Sequence, residues 1–150
     1  KEFLEKPKKW DTSGLGRFMK VMGITSSVID VLAFLGFWFL FGYNCETKQS
    51  WFQTAWFVEC LISETMIIHY IRTSKIPFVE SRPNKLLLIS TIMTIVGTIV
   101  TPIILHSVAS FNFVILPLKY YAFVLVLLVV YTVLVQIVKK RYIKKYGEWL

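Results

Sequence analysis

The sequence is poor in the residues around which soluble enzymes are built. Its 150 residues include two histidines and two cysteines. Both histidines stand near the ends of apolar stretches and leave no obvious general base. Cys45 and Cys60 make neither a metal-ligand motif nor a disulfide framework, Cys60 lying well inside an apolar stretch. There is no phosphate-binding loop, no Gly-rich dinucleotide turn, no GxSxG and no HExxH, so a self-contained catalytic function of those kinds is excluded. Internal repeats and low-complexity tracts are absent. No ten-residue alternation of polar and apolar residues suggests a transmembrane barrel. The chain begins at Lys1, without an initiator Met or a signal peptide, and reads as a piece of a longer polypeptide.

What the chain has in quantity is apolar surface. Hydrophobic residues make up 55% and aromatics 16% of it, and the mean hydropathy is +0.60. These residues fall in four blocks separated by short charged segments. Leu86 to Leu105 is an uncharged run of about the length a helix needs to cross a bilayer. In lipid the backbone must satisfy its own hydrogen bonds, so the blocks are expected to be helices. The fold class that follows is an all-α integral membrane protein with four transmembrane helices in antiparallel hairpins, at roughly residues 17–42, 51–71, 86–105 and 118–138. The whole of 1–150 is then one membrane domain, with 1–16 as a cytoplasmic connector and 139–150 as a cytoplasmic tail. Trp10 is an expected interface anchor, and Thr12 and Ser13 are expected helix N-caps.

A net charge of +8 in a soluble protein would point to nucleic acid, but here the distribution points to orientation. Fifteen of the 17 Lys and Arg residues lie before the first span, between the second and third, or after the fourth. Lys48 and Lys119 alone lie on the other side. Positive charge concentrates on the cytoplasmic side of membrane proteins, which places both termini in the cytoplasm. No nucleic-acid partner is implied, and lipid is the expected surroundings.

Three acids stand inside the spans. An ionisable group within hydrocarbon costs a few kcal/mol even on lenient scales and is by default a functional-site hypothesis. Asp30 shares a helix face with Ser26 and lies near Ser27. It lies roughly 15 Å beyond Lys20 at about 1.5 Å per residue, near mid-membrane. Glu59 and Glu64 lie about 20 Å and about 12 Å from Arg72, bracketing the depth of Asp30. They are rotated by about 140° from each other, so both cannot face one site. Glu59, Asp30 and Glu64, in that order, are the candidate cation-site or pathway residues. The bland alternative is a buried carboxyl that fastens helices together. His69 reads as a packing or interfacial residue. In the third span, Thr94, Gly97, Thr98 and Thr101 form a small-residue stripe suited to close helix packing.

A resemblance enters at this point. The segments KEFLEKPKKWD, RFM, TSSVID, WFVECLISETMIIHYIRTSKIPF with SRP after it, LPLKYY and YIKKYGEWL occur in order over nearly the whole chain. Together they resemble the C-terminal membrane region of bacterial magnesium-importing P-type ATPases. The resemblance implies that the four spans correspond to helices seven to ten of a ten-helix pump in the bacterial inner membrane. It implies ATP-driven uptake of Mg²⁺, with Mg²⁺ as the transported ion. ATP would act only through domains not found in these residues, which lack DKTGT, TGE and GDGxND motifs. The partners implied are the remainder of the same polypeptide, helices one to six and the cytoplasmic domains. In related pumps the main ligands lie on helices four to six with support from helix eight, a role the resemblance carries onto Glu59. SET here stands where the family is expected to have an SQT-like segment, so Glu64 inherits no role. The alternatives are a self-standing four-helix assembly or regulatory subunit without transport chemistry, and a small channel or proton-coupled carrier built on the three acids.

Overall fold

The computed structural model describes residues 12–108 and 110–147, with side chains from Gly14 onward. Trp10 and the connector before Thr12 lie outside the described residues, as do the side chains of Thr12 and Ser13. Among the described residues the fold is all helix, apart from one isolated bridge between Pro77 and Ser81. Four helices follow in order: α1 (Thr12–Leu35), α2 (Gln49–Ile71), α3 (Lys85–Leu105) and α4 (Leu118–Tyr146). A π-helical turn, Gly36–Leu40, extends α1, and a 3₁₀ turn, Glu46–Lys48, leads into α2.

Two helices run beyond the expected spans. The helix α1 starts at Thr12, where the sequence placed an N-cap, and α4 runs on past the fourth span to Tyr146. Nothing in GLGRFMK stops a helix firmly enough to resist the apolar stripe behind it. Phe18, Met22, Thr25, Ile29, Ala33 and Phe37 are buried at spacings of three and four along one face of α1 and its π turn. At the other end, Gly147 closes α4 in the left-handed conformation (φ 81°), its N–H donating to Ile143 O at 2.8 Å. Residues with a Cβ enter that region at a cost, so glycine is suited to the position.

Among the described residues, three helical segments are long and apolar enough to cross a membrane: Gly14–Leu40, Lys85–Leu105 and Leu118–Tyr146. The helix α2 is not among them. Gln49, Gln53, Glu59, Glu64 and His69 lower its mean hydropathy, which suits a helix surrounded by protein better than one surrounded by lipid. It packs against α3 most extensively, and also against α4 and α1, while α1 also packs on α4. The outer faces of α1, α3 and α4 carry exposed Ile, Val, Leu and Phe.

The packing between α1 and α4 depends on one close approach. A Cβ at Gly36 would overlap the ring of Phe123. Around this point Phe34, Phe37, Phe52, Trp56, Tyr120 and Phe123 pack ring against ring, with Phe37 5.8 Å from Tyr120 and 5.9 Å from Phe52 between centroids. Such pairs add about 0.5–1.5 kcal/mol each beyond area burial. This cluster fastens the ends of α1, α2 and α4 that flank the 43–48 loop.

The small-residue stripe expected on α3 is divided, with Thr98 buried and Thr101 half-buried. Thr91, Thr98 and Pro102 are buried, whereas Thr94 and Gly97 are exposed and a Cβ at Gly97 would meet nothing. The hydroxyls of Thr94, Thr98 and Thr101 donate back to Ser90 O, Thr94 O and Gly97 O of their own helix. A threonine satisfied in this way can face outward. Composition alone therefore did not mark the contact face.

Candidate functional site

The helix α2 is held at three levels by polar bonds from α4. Near the aromatic cluster, Tyr120 OH donates to Ala55 O at 2.6 Å. Further along, Tyr70 OH and Thr132 Oγ1 are 2.8 Å apart, and Thr132 Oγ1 lies 2.8 Å from Leu128 O. The single threonine proton goes to the carbonyl, so Tyr70 is the donor in the pair. At the far end the buried Lys139 ammonium donates to Tyr70 O (2.9 Å), Thr73 O (2.8 Å) and Lys75 O (3.3 Å). It caps the carbonyl end of α2, where a cation is favoured.

Lys139 was counted only as one of the orienting cations after the fourth span. It is in fact buried, at 1% exposure. Its (CH₂)₄ stem continues the buried α4 stripe of Tyr120, Val124, Leu127, Tyr131 and Val135. The spacing of that stripe was the available signal, since Lys139 follows Val135 by four residues.

On the α3 side, His69 Nε2 lies 2.7 Å from Thr91 Oγ1, which lies 2.9 Å from Leu87 O. Thr91 gives its proton to Leu87 O and accepts from the imidazole, so the ring carries its proton on Nε2. His69 is fully buried, its Nδ1 has no partner among the described residues, and its ring packs 4.7 Å from that of Phe78. Arg72 holds the following loop by donating to Ser81 O at 2.9 Å and Arg82 O at 3.3 Å. The reading of His69 as a packing residue agrees with these contacts.

Between these fastenings lies Glu59. Its side chain is 1% exposed, and among the described residues no hydrogen bond from another helix reaches either carboxylate oxygen; the polar groups beside it are the Ser63 hydroxyl and the Cys60 thiol of its own helix. Ser63, one turn away and also buried, donates to Cys60 O at 3.1 Å. The bland reading of Glu59 as glue between helices requires a partner, and none of the neighbouring helices supplies one among the described residues. A buried polar group left unpaired costs on the order of 1–3 kcal/mol, more if charged.

Glu64 points elsewhere, as helical geometry requires, and is exposed on the opposite side of α2. Asp30, on α1, is half-buried. The three acids are near enough to sense one another's charge, Asp30 with both glutamates and Glu59 with Glu64. They do not form a closed cage: among the described residues no three His, Cys, Asp or Glu side chains are grouped so as to hold a metal ion. Asp30 and Glu59 together would offer two carboxylates to an ion, with the other ligands supplied from elsewhere.

Cys45, in the loop before α2, and Cys60, within α2, are both free thiols. The exposed Cys45 Sγ lies 3.2 Å from Thr47 Oγ1. That hydrogen bond from Thr47 is the main cause holding the Cys45 thiol below its ordinary range.

The chain is 39% identical over 150 residues to the magnesium-transporting ATPase, P-type 1, of Salmonella typhimurium strain LT2, covering 99% of this chain and 16% of that protein. It is 37% identical over 147 residues to the magnesium-transporting ATPase, P-type 1, of Escherichia coli K12, covering 97% of this chain and 16% of that protein. The chain thus spans about a sixth of the length of these relatives. The model of the family described as cation transporting ATPase, C-terminus, matches residues 1–141. With its helices and this match over nearly its full length, the chain belongs to the C-terminal membrane region of the cation-transporting P-type ATPases.

Proposed function

We propose that this chain is the membrane-embedded C-terminal part of a P-type ATPase that uses ATP to import Mg²⁺, and that Glu59 serves the ion on its way across. In this reading all four helices span the bacterial inner membrane, with α2 as the internal one and both ends of the segment in the cytoplasm. ATP binding and phosphorylation belong to other parts of the longer polypeptide. The names of the relatives and the family match support the setting. The observation that carries the role of Glu59 is its burial with no hydrogen bond to either oxygen from another helix.

A carboxylate in that position with no partner from another helix is costly unless something periodically pairs with it. A hydrated divalent cation is a fitting partner. Mg²⁺ takes oxygen ligands in near-octahedral geometry and releases water reluctantly, so one or two carboxylates and retained waters suffice. Glu59 would supply one oxygen ligand and the half-buried Asp30 another, the rest coming from water and from helices outside this segment. The fastenings of α2 at Tyr120, Tyr70, Lys139 and His69 fix the rotation and height of the helix, and with them the position of Glu59. Glu64, on the far side of α2, then plays a secondary part along the pathway or none in ion binding.

Mg²⁺ uptake by the full-length protein tests this reading. Glu59→Gln keeps the shape and removes the charge, and is expected to impair uptake at equal expression, whereas Ser90→Ala on the exposed face of α3 is expected to leave it unchanged. Equal uptake by both variants would reduce Glu59 to a packing residue.

A further inference from the structure

The segment between α2 and α3 folds back on the helices it joins. A bridge between Pro77 and Ser81 closes it, with Phe78 N donating to Ser81 O at 3.2 Å and Glu80 N to Ile76 O at 3.0 Å. The Glu80 carboxylate accepts from Ile76 N at 2.9 Å, and Arg72 ties the other side of the turn through the carbonyls of Ser81 and Arg82. At the tip, Phe78 has φ 65°. A residue with a Cβ adopts this left-handed conformation at a cost, and keeps it where its surroundings impose it.

The ring of that residue is set low. It packs 4.7 Å from the ring of His69, and His69 bonds to Thr91, six residues into α3. At about 1.5 Å per residue, Thr91 lies roughly 9 Å along α3 from its first residue. The Phe78 ring is therefore level with the opening turns of α3 rather than above them. It is nevertheless 41% exposed, and Val79 beside it is 78% exposed. Leu86 and Ile89 on those same turns are exposed as well. Interfacial elements bury their apolar face about 5–10 Å into the boundary between headgroups and acyl chains, which is the depth found here. Around the tip Lys75, Arg82 and Lys85 are exposed. Long cationic side chains lay their stems along apolar surface and carry the charge up to the headgroups.

We propose that the 75–82 turn is an interfacial anchor, whose Phe78 and Val79 side chains enter the cytoplasmic leaflet while Lys75, Arg82 and Lys85 meet lipid phosphates. This rests on the reading of α3 as a membrane span with its Lys85 end in the cytoplasm. The paired backbone of the turn suits the site, because unpaired groups are costly there. A cytoplasmic domain of the longer polypeptide is the other candidate cover. Lying above the membrane, it would meet the upper side of the turn rather than side chains level with Thr91.

A nitroxide at Val79→Cys, in the full-length protein freed of its other cysteines and held in lipid nanodiscs, measures the depth. Its collisions with oxygen, which concentrates among acyl chains, are compared with those with a water-soluble nickel chelate. Met93→Cys, on the exposed face of α3, and Lys144→Cys, exposed near the end of α4, are the lipid and water references. Expected is an oxygen-to-nickel ratio at Val79 several-fold above that at Lys144 and close to that at Met93. A ratio matching Lys144, with Met93 in lipid, overturns the anchor alone. Few collisions with either reagent at Val79 also overturn it, by naming a protein cover. A water-accessible Met93 refutes the membrane reading of α3 and the anchor with it. A protein that does not move Mg²⁺ but holds Val79 in lipid would refute the functional reading and leave the anchor standing.

Discussion

Replacing Lys139 by methionine tests whether the carbonyl end of α2 is held by a buried cation. Methionine keeps much of the stem's length and apolar contact and removes the three donors. Of the carbonyls that the ammonium reaches, those of Thr73 and Lys75 belong to partly or fully exposed residues and can turn to water. The Tyr70 carbonyl cannot, since Tyr70 is 1% exposed. One stranded buried acceptor costs about 1–3 kcal/mol. The bonds to Thr73 and Lys75 add little beyond that, because burying the ammonium cancels much of their gain. Local opening of the loop after α2 should therefore become about 5- to 150-fold more frequent, at a factor of ten per roughly 1.4 kcal/mol. Trypsin cleavage at Lys75 in the detergent-purified full-length protein reads this opening, because proteolysis follows the population of the open form when closing is fast. Lys140→Met, at an exposed position, is the control and should leave the rate unchanged. Cleavage of Lys139→Met at the wild-type rate would refute the capping role.

Gly36→Ala forces its new methyl into the Phe123 ring and should cost about 1–3 kcal/mol as an overpacked contact, seen as a lowered midpoint of thermal unfolding; an unchanged midpoint would mean the helices separate freely there. Tyr120→Phe removes the bond to Ala55 O and should cost about 1 kcal/mol by the same assay. Cys45 should react with a membrane-impermeant maleimide added from outside the cell, and Cys60 should not, if the 43–48 loop faces outward. Because the Thr47 hydroxyl lowers the Cys45 pKa, Thr47→Val should raise it and so slow that reaction at neutral pH, with the difference closing as pH rises past both values; faster reaction of the variant would contradict the sign.

Helix existence was legible because long uncharged runs have few alternatives in lipid. The expected third span, 86–105, differs from α3 by one residue, and the expected second, 51–71, from α2 by two. The rotation between Glu59 and Glu64 was also legible, since it follows from residue count alone. Contact faces were not. The serine and threonine hydroxyls of α3 satisfy themselves on their own helix, so small polar residues there carried little information about which face packs, and the expected stripe lies only partly on the packed face. Lys139 was missed for a related reason: lysines were sorted by the loop they flank. What buries Lys139 is the end of a helix 69 residues away in sequence. The lack of a partner for Glu59 from another helix likewise depends on what α1, α3 and α4 fail to bring near it, which no local pattern encodes.

Mg²⁺-stimulated ATPase activity of the full-length protein, titrated with Mg²⁺ for wild type, Asp30→Asn, Glu59→Gln and Glu64→Gln, tests the central claim most directly. The account predicts that Glu59→Gln raises the Mg²⁺ needed for half-maximal activity by about tenfold or more, the loss of roughly 1.4 kcal/mol of binding, that Asp30→Asn follows with a smaller rise, and that Glu64→Gln leaves it near wild type. A Glu59→Gln titration that overlays wild type, or a Glu64→Gln titration shifted more than Glu59→Gln, would contradict it.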